Sequence, residues 1–187
     1  MLIHGVIASS RLAISGAFES IATATGTGSS GTITFTSIPS TYKHLQIRYI
    51  GRYDGASVTA NSTFTINSDT GANYAIHDLV GNGSAASSGG TASASSIRYA
   101  RVAGSTATAS VVAAGIIDIH DYASTSKYKT VRILSGVDGN AADTNYQISL
   151  RSGLWMNTNA ITSLTFTTAS GNWTTATQFA LYGIKGA

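Results

Sequence analysis

Apolar residues in this chain recur at every second position, in short runs separated by Gly, Ser, Thr and Asn. In "KHLQIRYIGRY" (43–53), Leu45, Ile47, Tyr49 and Gly51 share one face, while His44, Gln46, Arg48, Ile50 and Arg52 share the other. That is the period of a half-buried antiparallel strand, because successive side chains of extended backbone point to opposite sides. "TITFT" (32–36) alternates through Ile33 and Phe35, and "STFTIN" (62–67) through Phe64 and Ile66. Further strand-like runs are "YAIHDLVG" (74–81), "SIRYARV" (96–102), "ATASVVAAGIIDIHDY" (107–122), "YKTVRILSG" (128–136), "NYQISLRSGLW" (145–155), "ITSLTFTTA" (161–169) and "TQFALYGIKG" (177–186). Turn chemistry separates them: the single proline, Pro39, follows the first, and the Gly-Asn of "SGNWTTA" suits a hairpin joining the last two. The pattern predicts an all-β fold, an antiparallel jelly-roll-like β-sandwich of about eight to ten strands over residues 31–187.

Two stretches break the alternation. Residues 1–30 lack a sustained period and close in the linker-like "TATGTGSSG", yet they carry Leu2, Ile3, Val6, Ile7, Leu12, Ile14 and Phe18. A free tail has no means of burying so many apolar side chains. The region therefore reads as an extended N-terminal arm that docks on a partner, with an edge strand of the same domain as the equal alternative. The second stretch, "NGSAASSGGTASASS" (82–96), has no side chain able to bury much area. It reads as a long contact loop, with Asn82, Ser84, Ser87, Ser88 and Thr91 as the contacting residues.

Composition narrows the classes. Only 10% of the 187 residues are charged, there is a single Glu (Glu19), and the net charge is +3 with the basic residues scattered from Arg11 to Lys185. Without a basic stripe, nucleic acid is not an expected partner. No run approaches 18 apolar residues and no basic segment precedes an apolar one near the N-terminus, so neither a membrane span nor a secretory signal is expected. The chain has no Cys, which removes disulfides and thiolate metal sites. A sparsely charged surface of hydroxyls and small side chains suits packing against copies of the same chain, and a homotrimer is the expected assembly.

The one concentration of reactive side chains is "IIDIHDYAS" (116–124), with Asp118, His120 and Asp121. On a strand, residues 118 and 120 share a face and Asp121 takes the other, so the three cannot converge on one ion. A site there needs ligands from elsewhere, such as His77 and Asp78 of "AIHDLV". The alternative for both His-Asp pairs is a strand end where Asp caps a turn. There is no G-x-S-x-G elbow and no phosphate-binding glycine loop. Carboxylate pairs drawn from Asp54, Asp69, Asp118 or Asp138 lack an aromatic cleft for glycoside hydrolysis. No catalytic, cofactor-binding or metal residue is assigned, no cofactor is expected, and an enzyme is not the expected class.

The C-terminal stretch "SGLWMNTNAITSLTFTTASGNWTTATQFALYGIKGA" resembles the ending of a group of tailed-bacteriophage virion proteins, in which a GLW-x-NT-x-AITS segment leads to a hairpin closing in LYGIKG. "FESIATATGTGSSGTITFTSIPSTYKHLQIRYIGR" is similar to the group's opening strands, and "FTINSDTGANYAIHDLVGNG" to its central portion. The resemblance implies a virion structural part on the outer surface of the particle and carries over no catalytic residue. It also implies that Asp118 and His120 are not an obligatory pair. The leading expectation is a capsid decoration or cement protein whose arm attaches to the major capsid protein or another virion protein. The alternative is a tail-fibre or minor tail module that binds a host-surface glycan through loops such as 82–96.

Overall fold

The computed structural model describes residues 16–140 and 144–186. In chain order the strands are β1 (Phe18–Thr25), β2 (Thr32–Phe35), β3 (His44–Gly51), β4 (Thr59–Ile66), β5 (Tyr74–Gly81), β6 (Ala86–Ala94), β7 (Ile97–Ala103), β8 (Ala113–Ile119), β9 (Lys129–Val137), β10 (Gln147–Trp155), β11 (Leu164–Thr167) and β12 (Gln178–Ile184). They form two antiparallel sheets. The long sheet has the order β1-β12-β3-β8-β9-β10-β5-β6, and the short one β2-β11-β4-β7. The fold is thus an all-β sandwich with twelve strands among the described residues, rather than eight to ten.

The alternation read from the sequence sets which side chains meet between the sheets. Leu45, Ile47 and Tyr49 of β3, Ile33 and Phe35 of β2, and Phe64 and Ile66 of β4 are all buried. Phe166 of β11 lies at the centre, with ring centroids 4.7 Å from Phe179, 5.4 Å from Phe64 and 5.6 Å from Tyr99. The chain passes repeatedly between sheets: β1, β3, β8 and β12 lie in the long sheet, and β2, β4, β7 and β11 in the short one. The remaining strands, β9, β10, β5 and β6, extend the long sheet beyond β8.

Three expectations change. Residues 82–96 are not a loop, because Ala86–Ala94 is strand β6, paired along β5 from Tyr74↔Ala94 to Gly81↔Ala86. Its side chains are too small to show a burial period, but it is the edge strand next to β5, and the backbone amides and carbonyls on that side are paired. For residues 18–25 the edge-strand alternative holds in place of the docking arm: Phe18–Thr25 pairs with β12 at the edge of the long sheet, with a register shift between Ser20 and Ala22 that breaks the alternation. Leu2, Ile3, Val6, Ile7, Leu12 and Ile14 lie outside the described residues. "SGNWTTA" joins no hairpin, since β11 and β12 belong to different sheets. Its turn residues instead fasten an inter-sheet crossing. Gly171 has φ +64°, Asn172 donates its backbone N–H to Asp54 at 2.6 Å, and Trp173 is fully buried.

The sequence blocks that carry the virion-protein resemblance serve as fasteners. Trp155 donates its indole N–H to Asp69 at 2.7 Å. Asn67 holds the "AITS" segment, donating to the Ala160 carbonyl at 2.8 Å and accepting the Thr162 N–H at 2.8 Å and the Ser163 N–H at 3.1 Å. In "LYGIKG", Lys185 pairs with Glu19 at 2.5 Å, and the Tyr42 hydroxyl donates to the same carboxylate at 3.1 Å. These partners hold the Glu19 carboxyl below its ordinary range and fix the root of the N-terminal segment.

Candidate functional site

The cluster at the end of β8 separates as period two requires. Asp118 accepts the Gln46 amide N–H at 2.8 Å and lies 3.5 Å from the Arg132 guanidinium. The His120 ring meets the His44 ring edge-on at 5.1 Å. Asp121 begins the turn with φ +47° and is bracketed by the ammonium groups of Lys43 (2.9 Å) and Lys127 (2.7 Å). Those two lysines hold its carboxyl well below the usual carboxylate range. Each carboxylate is engaged by cations or an amide, and among the described residues no three His, Cys, Asp or Glu side chains converge.

His44 is the residue here that the sequence reading left in the background. Its Nδ1 accepts the backbone N–H of Asp121 at 3.0 Å, a bond available only to the neutral ring. Burial and then the neighbouring His120 depress its pKa, with Lys43 adding to the effect and Asp121 and Asp118 opposing it. With the folded value below the unfolded one, the unfolded chain takes up the proton first, so stability is full above about pH 6.5 and falls as pH drops below it. The urea midpoint is expected to decline between pH 7.5 and 5.5, and His44→Asn, which keeps an acceptor but does not titrate, is expected to flatten that decline. An unchanged slope in the variant would count against this role.

His77 and Asp78 sit in the middle of β5, not at a strand end. His77 is exposed on the outer face, while Asp78 points inward to an ion pair with Arg98 of β7 and approaches Arg151 Nε of β10 at 3.7 Å. The Arg151 side chain is 2% exposed and donates from Nη1 to the Tyr99 carbonyl at 3.1 Å, to Ser135 at 3.3 Å and to Ser149. Burial lowers its pKa, followed by the nearby Arg98 charge, with Asp78 opposing. This network fastens the extended part of the long sheet to β7 at the edge of the short one. Asp78 therefore has a structural partner in place of the turn expected from sequence.

The five residues assigned to a contact loop do not form one patch. Asn82 and Ser84 lie in the β5–β6 turn, where Asn82 Oδ1 accepts the N–H groups of Ser84 (3.1 Å) and Ala85 (2.8 Å). Ser88 pairs with Leu79 on the outer face, whereas Ser87 pairs with Val80, whose side chain takes the opposite face. Thr91 pairs with the buried Ile76.

What the structure does concentrate is exposed apolar side chains. Ile50, Leu79, Ile116, Leu134, Ile148 and Leu150 are each between 38% and 61% exposed, and all lie on the outer face of the long sheet. The strand registers place four of them side by side, with Ile116 opposite Leu134, Leu134 opposite Leu150, and Leu150 opposite Leu79. One row along, Ala114, Gly136 and Gly81 leave a groove of about 960 Å³, bordered by Ile116, Leu134 and Ile148 and ending at the Asn82–Ser84 turn and Asp138. Phe18 stacks under the Arg48 guanidinium at 5.7 Å near one side of this face. A contiguous apolar surface of this extent on one face marks an interaction site. No protein-family model, no curated protein and no solved structure matches this chain.

Proposed function

We propose that this chain is a bacteriophage virion structural protein, a decoration or cement protein of the capsid surface that attaches through its N-terminal arm and associates with copies of itself. No reaction is assigned to it. The observation that carries the reading is the strand order. With the four extension strands set aside, β1-β12-β3-β8 faces β2-β11-β4-β7, and we read this as two interleaved Greek keys, the jelly roll used by viral capsid proteins and lectins. Fold alone does not decide between those uses. The resemblance of "GLWMNTNAITS" and "LYGIKG" to phage virion proteins favours the particle, and the broad apolar sheet face favours assembly over sugar recognition. The tail-fibre alternative loses its proposed contact loop, because residues 86–94 are a strand.

Residues 1–15 precede the described part of the chain, and the informative deletion ends there so that β1 is left whole. Removing residues 1–15 is expected to lower occupancy on purified particles by about tenfold or more while leaving thermal unfolding of the sandwich unchanged. Unchanged occupancy would overturn attachment through the arm. Electron microscopy of virions labelled on this chain should place the label on the head, and label confined to the tail would overturn the capsid assignment.

A further inference from the structure

We infer that the outer face of the long sheet is a two-fold interface on which a second copy of this chain packs, its apolar ridge against the adjacent, partly small-residue row of the first copy. The ridge is the row Ile116, Leu134, Leu150 and Leu79, continued by Arg48 on β3, and the trough is the adjacent row two residues away on the same strands, small at Ala114, Gly136 and Gly81 and large at Ile50 and Ile148. A two-fold axis parallel to these rows and midway between them reverses each strand while keeping its place in the sheet. It sets Leu134 over Gly136 of the second copy, Ile116 over Ala114 and Leu79 over Gly81, while Leu150 meets Ile148 as an apolar pair and Arg48 meets Ile50 on β3; every contact occurs twice, as an isologous interface requires. The same rotation carries Arg132, one row beyond the ridge, onto Asp138 of the second copy, one row beyond the trough. Both side chains are exposed, Arg132 within β9, where it also lies 3.5 Å from Asp118, and Asp138 just after the strand, so the apolar contact comes with a match in charge.

The area is sufficient. Five strands about 4.8 Å apart and four rows about 6.8 Å apart give roughly 650 Å² per copy, or about 1,300 Å² in total, above the ~1,000 Å² that a specific interface needs. The groove of about 960 Å³ has the dimensions of a small-molecule site, but its floor is glycine and alanine interrupted by Ile148, and its few charged groups lie at the ends. A ligand pocket needs polar groups that converge to orient its occupant. A trimer, expected from composition, joins two different patches at each contact, whereas this face is complementary to itself.

Sedimentation equilibrium of the full chain is expected to show a dimer at micromolar concentration. Leu134→Arg removes a ridge side chain. Gly136→Arg fills the trough, and its new Cβ meets nothing closer than the Gln147 carbonyl oxygen at 3.8 Å within its own chain. Each is expected to weaken dimerisation about 100-fold or more. Arg132→Asp and Asp138→Arg are each expected to weaken it by about tenfold, and the double reversal to return it to within about threefold of the original. Rescue by the double reversal is specific to this pairing and stays readable if a ridge variant misfolds. A monomer at ten times the concentration of the assay, a trimer, ridge variants that fold and dimerise normally, or a double reversal without rescue would each overturn the two-fold interface.

Discussion

Asp78→Ala is expected to lower the unfolding free energy by about 3–5 kcal/mol, as removal of one partner from a buried ion pair does. The Asp78 side chain is 9% exposed and is the carboxylate that both Arg98 and Arg151 approach. Arg151 cannot turn to solvent. Its side chain is enclosed between β10 and β7, and the neutral oxygens of Tyr99, Ser135 and Ser149 receive its hydrogen bonds without balancing its charge. Removing the carboxylate leaves two guanidinium groups repelling one another at the seam between the sheets. Asp78→Asn, which retains an acceptor but no charge, should fall between the variant and the original. Replacing Asp78 and Arg151 together by apolar residues should recover much of the loss, since a buried pair exchanged for packed hydrocarbon is often neutral or better. Urea denaturation with linear extrapolation measures all three. A loss below about 1 kcal/mol for Asp78→Ala would show that water screens the cluster.

The same seam shows where sequence reading stops. Alternation in β2, β3 and β4 was legible because those strands lie where the two sheets cover one another, so that one face meets the core and the other meets water. β10 belongs to the extension of the long sheet, and there the polarity is inverted: Ile148 and Leu150 are exposed, while Ser149 and Arg151 are buried. Nothing local in "QISLRSGLW" signals that inversion. It follows from the long sheet having eight strands and the short one four, so that β10 projects past full cover and meets only the edge strand β7. A period-two pattern identifies two faces, but it cannot tell which face will be covered by another element.

Two other elements were hidden for different reasons. β6 is held by backbone pairing to β5 while its side chains stay exposed, so it has no hydrophobic period to read. β1 has apolar residues, but a bulge between Ser20 and Ala22 shifts them between faces. The reactive-looking cluster was better served by the sequence. Period two separates Asp118 from Asp121, and the structure assigns them to different partners, Gln46 and Arg132 for one and two lysines for the other. The candidate interface was not legible at all. Its six exposed apolar residues come from β3, β5, β8, β9 and β10, and only the strand order makes neighbours of them.

Gly183 is expected to resist even the smallest enlargement, and the reason is space rather than backbone conformation. A Cβ at that position would lie 2.3 Å from two carbons of the Tyr42 ring, one of which carries the ring to its own chain. Aromatic cover of a strand glycine is a known means of supporting a sheet near its edge, and here the Tyr42 hydroxyl continues to Glu19 on β1. Gly183→Ala is expected to cost about 1–3 kcal/mol through overpacking. Tyr42→Ala is expected to cost a similar amount by uncovering the glycine and removing the Glu19 hydrogen bond. The diagnostic is their combination: once the ring is gone the added methyl has room, so the double variant should be no more than about 0.5 kcal/mol less stable than Tyr42→Ala alone. Additive costs in urea denaturation would mean that the ring is not the obstacle. If the coupling is found, the glycine of "LYGIKG" owes its place to the aromatic clamp that seats β1, and with it the root of the proposed attachment arm, on the sandwich.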